Sequence, residues 1–155
     1  MKRVRVWRIT QKNYASDAFS GEGARFYGGR FNSAGYPAVY TSGSLSLALL
    51  ESLVQTNDRE FFSSCVYFYA DIPESIIQEY KTEMLPYGWD AKPCEPVSQQ
   101  FGDEWLSAAK YAVLKVPSAV LPVEWNYVLN PNHPDFSKAH VSDENSLPFD
   151  NRLVT

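Results

Sequence analysis

The segment from Ser44 to Gln55 limits the fold more than any other part of the chain. Its apolar side chains cover most of a helical circumference, and either Ser42 or Ser44 can cap its first turn. A helix of this kind has to be covered by other elements, so the pattern predicts a largely buried helix. The six apolar positions that define it are Leu45, Leu47, Leu49, Leu50, Leu53 and Val54.

The rest of the chain is dominated by short runs typical of β-strands. Alternating or continuous apolar residues, rich in β-branched and aromatic types, predict five strands, and the tail from Val141 to Phe149 could supply one more. Two further helical patterns, at Pro73–Tyr80 and Asp103–Lys110, do not alternate regularly with those strands. This order favours a mixed α+β fold with small mixed sheets around the buried helix. The runs are Val4–Ile9, Ala38–Tyr40, Cys65–Ala70, Ala112–Val116 and Trp125–Leu129.

Length and charge exclude several classes of protein. A chain of 155 residues suits one domain, which we assign to residues 1–155. Its net charge is -4, with no basic block beyond Lys2–Arg5, so direct nucleic-acid binding is not expected. Apolar runs fall far short of the ~20 residues that cross a bilayer. The sequence therefore predicts a cytoplasmic protein without a membrane partner.

Cysteine and histidine usage gives no sign of a metal centre. Cys65 and Cys94 form no C-x-x-C pair, so two reduced thiols are expected. His133 and His140 are seven residues apart without supporting ligands. No metal site is predicted.

Two charged residues stand in company that suggests a binding site. Arg30 lies in a glycine-bearing loop, directly after Gly28 and Gly29, where a guanidinium could fork onto a phosphate or carboxylate. A surface arginine in a flexible turn is the alternative. Glu51 falls at the margin of the helix's apolar arc. A carboxylate at the edge of a dry pocket could stabilise a developing cation, although a solvated boundary residue has the same pattern.

Three more polar side chains stand at strand ends. Tyr40 closes a strand just before the helix, Ser118 follows a strand in a proline-flanked turn, and Asn126 lies near the start of the strand-like run that ends before Asn130. Each has an ordinary structural interpretation, as a half-buried core residue, a turn hydroxyl or a group that satisfies the backbone. Alone, none of them identifies a function.

Taken together, the motifs resemble the RES domain, a family named for its arginine, glutamate and serine. The matching stretches keep the family's order along nearly the whole chain. One departure is Phe31, where the family often carries tryptophan. The stretches are Val6–Ile9, Gly28–Asn32, Ala38–Ser42, Leu45–Glu51, Gly102–Leu106, Val116–Val120, Asn126, Asn130–Asp135 and Phe149–Leu153.

The resemblance implies a fold like that of the ADP-ribosyltransferase toxins, with NAD⁺ held in a cleft as substrate and no other cofactor. Arg30, Tyr40 and Glu51 would form the catalytic set. The pocket residues implied for NAD⁺ binding are Arg8, Arg30, Phe31, Ser118 and Asn126. In this scheme Arg30 clamps the diphosphate, Tyr40 stacks on the nicotinamide or ribose, and Glu51 stabilises an oxocarbenium-like centre.

The implied function is that of a toxin in a toxin–antitoxin pair. Such a toxin cleaves the nicotinamide–ribose bond of NAD⁺ as a glycohydrolase or phosphorylase, and it is neutralised by an Xre-type helix-turn-helix antitoxin, within whose complex the chain could also form a homodimer. Mono-ADP-ribosylation of a protein is the alternative reaction. A non-catalytic module that docks a partner through its aromatic surface remains a hypothesis of a different class.

Overall fold

The computed structural model describes residues 1–56 and 58–154. Eight strands and four α-helices alternate irregularly along these residues. Short 3₁₀ turns, at 12–17, 74–76, 82–84, 134–138 and 151–154, join them. The strands are β1 (Arg3–Gln11), β2 (Val39–Ser42), β3 (Cys65–Pro73), β4 (Ile77–Glu79), β5 (Val113–Pro117), β6 (Trp125–Leu129), β7 (His140–Val141) and β8 (Asn145–Ser146). The helices are α1 (Glu22–Tyr27), α2 (Leu45–Gln55), α3 (Arg59–Ser63) and α4 (Pro96–Ala108).

The described strands form one sheet in the order β4-β5-β6-β2-β1-β3-β7, with β8 also paired to β3. Only the β4–β5 pair is parallel; the other pairs are antiparallel. The α+β class predicted from the sequence is confirmed. The small sheets, however, are joined into a single sheet.

The sheet opens in its middle, between β1 and β2. Along β3, strand β1 keeps nine consecutive residue pairs, from Arg3 with Pro73 to Gln11 with Cys65. Along β2 it keeps one, Trp7 with Ser42. Beyond that pair the two strands diverge. The gap gives the sheet a cleft where a continuous ladder would have given a closed surface.

Helix α2 lies beside this gap, and it is less buried than its apolar pattern predicted. Leu47 and Ala48 are buried, but Val54 is 64% exposed. The helix packs mainly on β1 and β2, and its outer residues Leu50 and Val54 face solvent. Its cap is Ser44, whose Oγ accepts a hydrogen bond from the Leu47 amide at 3.1 Å.

Two other helical predictions need correction. The pattern at Pro73–Tyr80 is a 3₁₀ turn followed by β4, because Ile77–Glu79 pair with the edge of β5. Helix α4 begins at Pro96, well before the predicted start at Asp103. A proline at the first helical position starts a helix readily, and the prolines around it hid that start.

Candidate active site

A cleft lies at the gap between β1 and β2, with about 120 Å³ of room for water-sized molecules, and it is partly open to solvent. Strands β1, β2 and β6 and helix α2 all contribute to its walls. Polar and apolar side chains alternate around it. The lining residues are Trp7, Arg8, Ile9, Tyr40, Thr41, Ser42, Ala48, Glu51, Ser52, Gln55 and Asn126.

Glu51 is held in this cleft by two neutral donors that meet on one carboxylate oxygen. Ser118 Oγ donates to Glu51 Oε2 at 2.8 Å, and Asn126 Nδ2 donates to the same oxygen. Neither hydrogen bond uses Oε1. The half-buried carboxylate is therefore fixed in direction from behind, by groups that carry no charge.

The turn after β5 fixes the direction of the Ser118 hydroxyl. Its Oγ accepts hydrogen bonds from the amides of Val120 and Leu121, both at 3.0 Å. A serine hydroxyl has two acceptor positions and one proton. Since both acceptor positions are filled, the proton is left for Glu51.

One row of side chains across the sheet carries the other donor. Tyr69, Trp7, Ser42 and Asn126 are direct neighbours on β3, β1, β2 and β6. Directly opposite residues in an antiparallel sheet project from the same face. Ser42 Oγ donates to Asn126 Oδ1 at 2.8 Å, and Asn126 in turn reaches Glu51. Strand register therefore places the amide under the α2 carboxylate.

Arg8 occupies the gap itself. Its Nε donates to the Ala18 carbonyl at 2.6 Å and its Nη1 to the Tyr40 carbonyl at 3.0 Å. Within the described part of the chain these are its hydrogen bonds, and no carboxylate pairs with it. Burial lowers the pKa of the Arg8 guanidinium to about 10. A half-buried cation without an acidic partner, beside a cleft, is suited to an anionic ligand.

The Tyr40 phenol is bound to the glycine loop. Its Oη donates to Asn32 Oδ1 at 2.6 Å and accepts from the Phe31 amide at 3.0 Å. Burial holds the pKa of the Tyr40 phenol well above its ordinary value. The residue contributes to the cleft wall, and its hydroxyl anchors the loop.

The structure does not bring Arg30, Phe31 or Ser118 to the cleft surface. Arg30 Nη1 donates to the carbonyls of Trp89 and Ala91, both at 2.9 Å. Phe31 is 4% exposed and packs in the core, and Ser118 is fully buried behind Glu51. Of the residues proposed from the sequence, Arg8, Tyr40, Glu51 and Asn126 line one cleft.

Trp7 is a cleft residue that the sequence did not identify as part of the site. It lies on β1, half-buried, with its ring centroid 5.6 Å from that of Tyr69 and 6.0 Å from that of Tyr67. An aromatic side chain on a strand is usually core, and only the early divergence of β1 from β2 opens this one to a ligand. Its position directly before Arg8 was the available signal.

The arrangement can hold an anionic ligand at Arg8, support a planar ring at Trp7 and place a carboxylate beside the bound molecule.

No helix among the described residues has the length and apolar character needed to span a bilayer.

Comparison with known proteins gives a consistent result. A family model described as the RES domain matches residues 5–150. A Photorhabdus laumondii protein named Toxin Res is 39% identical over 151 residues, covering 96% of both chains. A Sphingobium protein named Prs ADP-ribosylating toxin is 33% identical over 153 residues, covering 96% of this chain and 95% of its own length.

A solved structure has the same fold. The M. tuberculosis MbcT–MbcA toxin–antitoxin complex contains a chain that aligns with a TM-score of 0.75 at 20% identity, covering 99% of this chain and 87% of that one. At this identity the likeness shows the fold, and the close sequence relatives show the family.

Proposed function

The chain belongs to the RES-domain family, and from that membership we propose that it is the toxin of a toxin–antitoxin pair that breaks the nicotinamide–ribose bond of NAD⁺. One observation carries the proposal: Glu51 and Arg8, whose guanidinium has no acidic partner in the described residues, line the same cleft. A dinucleotide has a diphosphate that the Arg8 cation can bind. It also has a glycosidic bond whose cleavage develops positive charge, which the Glu51 carboxylate can stabilise.

Glu51 supplies the chemistry of bond breaking. When the bond between the ribose C1′ and the nicotinamide nitrogen breaks, the electron pair leaves with nicotinamide and C1′ becomes oxocarbenium-like. The ring nitrogen already carries positive charge in NAD⁺, so nicotinamide leaves neutral and needs no general acid. A single carboxylate that stabilises C1′ is therefore sufficient, in contrast to the pair used on ordinary glycosides.

Arg8 and Trp7 supply binding. In the proposed complex the Arg8 guanidinium contacts the diphosphate, and the Trp7 ring stacks on one of the two planar rings of the dinucleotide. This scheme transfers the clamp role first considered for Arg30 to Arg8, which lines the cleft, and the stacking role of Tyr40 to Trp7, because the Tyr40 hydroxyl is held by the glycine loop. Arg30 and Tyr40 then support the loop and wall beside it.

Hydrolysis or phosphorolysis of NAD⁺ is the reaction we propose first, with NAD⁺ as substrate and without a further cofactor. Transfer of ADP-ribose to a protein is the second candidate, and the name of the 33% identical Sphingobium relative, Prs ADP-ribosylating toxin, favours it. Both reactions share the same departure of nicotinamide. They differ only in the nucleophile that then adds to C1′.

Mass spectrometry of the products tests the proposal and separates the candidates. The purified chain is incubated with NAD⁺, with and without phosphate, and Glu51→Gln is the matched control. ADP-ribose, ADP-ribose-1″-phosphate or a labelled protein identifies the acceptor as water, phosphate or a side chain. Absence of free nicotinamide both with and without phosphate would reject the enzyme and favour the binding module.

We further propose that the partner is an Xre-type antitoxin, a segment of which fills the cleft. The relative in the M. tuberculosis structure is named as part of a toxin–antitoxin complex, which supports a partner of this class. The antitoxin, with its helix-turn-helix domain, would bind DNA for both chains. Co-expression with the antitoxin should therefore suppress nicotinamide release by the wild-type chain.

A further inference from the structure

We infer that Ser42 and Ser118 are positioning residues that act on the reaction through Glu51. The inference rests on the proposed function, since it concerns the orientation of the proposed catalytic carboxylate. Ser118 is fully buried, and Ser42 is 4% exposed. Both hydroxyls donate their protons to protein groups, so neither is free to donate a hydrogen bond to a dinucleotide.

Ser118 forms the first of two supports for Glu51. Because its oxygen accepts from the amides of Val120 and Leu121, its proton has one direction left, toward Glu51 Oε2. The two amides polarise the Ser118 hydroxyl, which strengthens the hydrogen bond that it donates to the carboxylate. A rotating hydroxyl would not hold the carboxylate in one plane.

Ser42 forms the second support, through Asn126. A carboxylate can only accept, so the Asn126 amide has to turn its Nδ2 toward Glu51 and its Oδ1 away. Ser42 Oγ donates to that Oδ1 at 2.8 Å. Loss of the Ser42 hydroxyl would leave an amide oxygen short of a donor in a part-buried site and would free the amide to rotate.

The two supports have one consequence for the reaction. Both end on Oε2, so they fix the carboxylate while leaving Oε1 as the oxygen that faces C1′ and the incoming nucleophile. Small displacements of a reacting group have large effects on rate. The two serines therefore affect the chemical step more than the affinity for substrate.

The test compares Ser42→Ala and Ser118→Ala with Ser98→Ala. Ser98 is a fully buried serine whose Oγ donates to the Glu95 carbonyl in the first turn of α4, away from the cleft. Nicotinamide release gives kcat and KM, and calorimetry gives the affinity for ADP-ribose. We expect kcat to fall at least about tenfold in both serine variants, with KM and ADP-ribose affinity within about twofold of wild type. The Ser98 variant should match wild type.

Two results would overturn the inference. One is a rise in KM with kcat retained, which would mean that the serines contact substrate. The other is an unchanged kcat. If an alanine variant fails to fold, Ser42→Cys and Ser118→Cys keep the side-chain size with a much weaker donor, and they should show the same loss of kcat. A cysteine variant with wild-type kcat would also contradict the inference.

A spectroscopic measurement separates this inference from the proposed function. The ¹³C resonance of the Glu51 carboxyl carbon, assigned by its loss in Glu51→Gln, should shift in Ser42→Ala and Ser118→Ala and stay in place in Ser98→Ala. If wild type releases no nicotinamide, the proposed function fails. The shift would still be evidence that Ser42 and Ser118 orient the Glu51 carboxylate. An unmoved resonance in both serine variants would reject this role.

Discussion

The guanidinium of Arg8 and the main-chain carbonyl of Tyr40 meet across the gap between β1 and β2, where Nη1 donates to the oxygen at 3.0 Å. In a continuous ladder, backbone amides would occupy this gap. Here one residue pair, Trp7 with Ser42, joins the two strands, and a side-chain cation occupies the opening beyond it. The interruption of the sheet thus creates both the cleft and its charge.

Replacement of Arg8 should weaken binding of anions more than it changes the fold. Arg8→Lys retains the charge but loses the planar fork, and Arg8→Met loses both. A charge-assisted contact contributes about 1.5–3 kcal/mol, so we expect NAD⁺ affinity to fall by roughly 10- to 100-fold in Arg8→Met. Calorimetry with NAD⁺ and with pyrophosphate measures this.

Arg30→Ala is the control for that measurement. Because the Arg30 guanidinium holds the Trp89 and Ala91 carbonyls outside the cleft, its loss should lower thermal stability and leave affinity near wild type. A large loss of NAD⁺ affinity in Arg30→Ala, with none in Arg8→Met, would return the clamp role to Arg30.

Anion binding should also weaken at high pH. Since burial lowers the pKa of Arg8 to about 10, pyrophosphate affinity should fall as the pH rises through that value. The unliganded fold has the opposite dependence: above about pH 10 the unfolded chain retains the Arg8 proton that the folded chain loses, so this group raises stability as the pH increases. Lysines also lose their protons in this pH range, and the same titration of Arg8→Met measures their contribution. A pH dependence in Arg8→Met identical to that of wild type would contradict the assignment.

The loop that carries Arg30 depends on the Tyr40 hydroxyl. Tyr40→Phe leaves the Phe31 amide and Asn32 Oδ1 without their partner, which should destabilise the protein by about 1–3 kcal/mol. Thermal denaturation measures the loss. If Tyr40→Phe keeps wild-type stability but loses all turnover, the hydroxyl has a direct role in the reaction.

Much of the fold could be predicted from the sequence because it depends on local patterns. The alternation in β1 and the leucine-rich pattern of α2 are set within a few residues, and β6 begins and ends where its sequence pattern does. The parts that could not be predicted depend on tertiary contacts. Helix α2 was expected to be buried on most sides, because periodicity shows which residues are apolar but not how many elements cover them.

Four of the cleft residues could be proposed from the sequence, but their arrangement could not. The place of Glu51 at the margin of an apolar helix allowed either a site carboxylate or a solvated boundary residue, and the family resemblance implied the catalytic role. Its contact with Ser118 joins residues 67 apart in sequence and depends on where the turn after β5 lies. The family resemblance implied that Ser118 lines the cleft, but in the structure it lies behind the Glu51 carboxylate.

Close packing of α4 against the glycine loop gives a separate test of the fold. A Cβ added at Gly102 would lie 1.7 Å from the Phe31 carbonyl oxygen, so the helix and loop would have to move apart. Gly102→Ala should destabilise the protein by about 1–3 kcal/mol. Urea denaturation measures this, with Gly23→Ala as control, because nothing lies within 4 Å of a Cβ at Gly23. Equal stability of the two variants would contradict the packing.

The role of Glu51 is tested most directly by single-turnover release of nicotinamide from NAD⁺ by Glu51→Gln beside wild type. The amide keeps the shape of the side chain and removes the charge that stabilises C1′. Loss of one such electrostatic group lowers the rate by roughly 100- to 1000-fold in comparable sites. We predict a loss of that size with NAD⁺ affinity retained by calorimetry. Release by Glu51→Gln at the wild-type rate would contradict the assignment of this carboxylate to the chemical step.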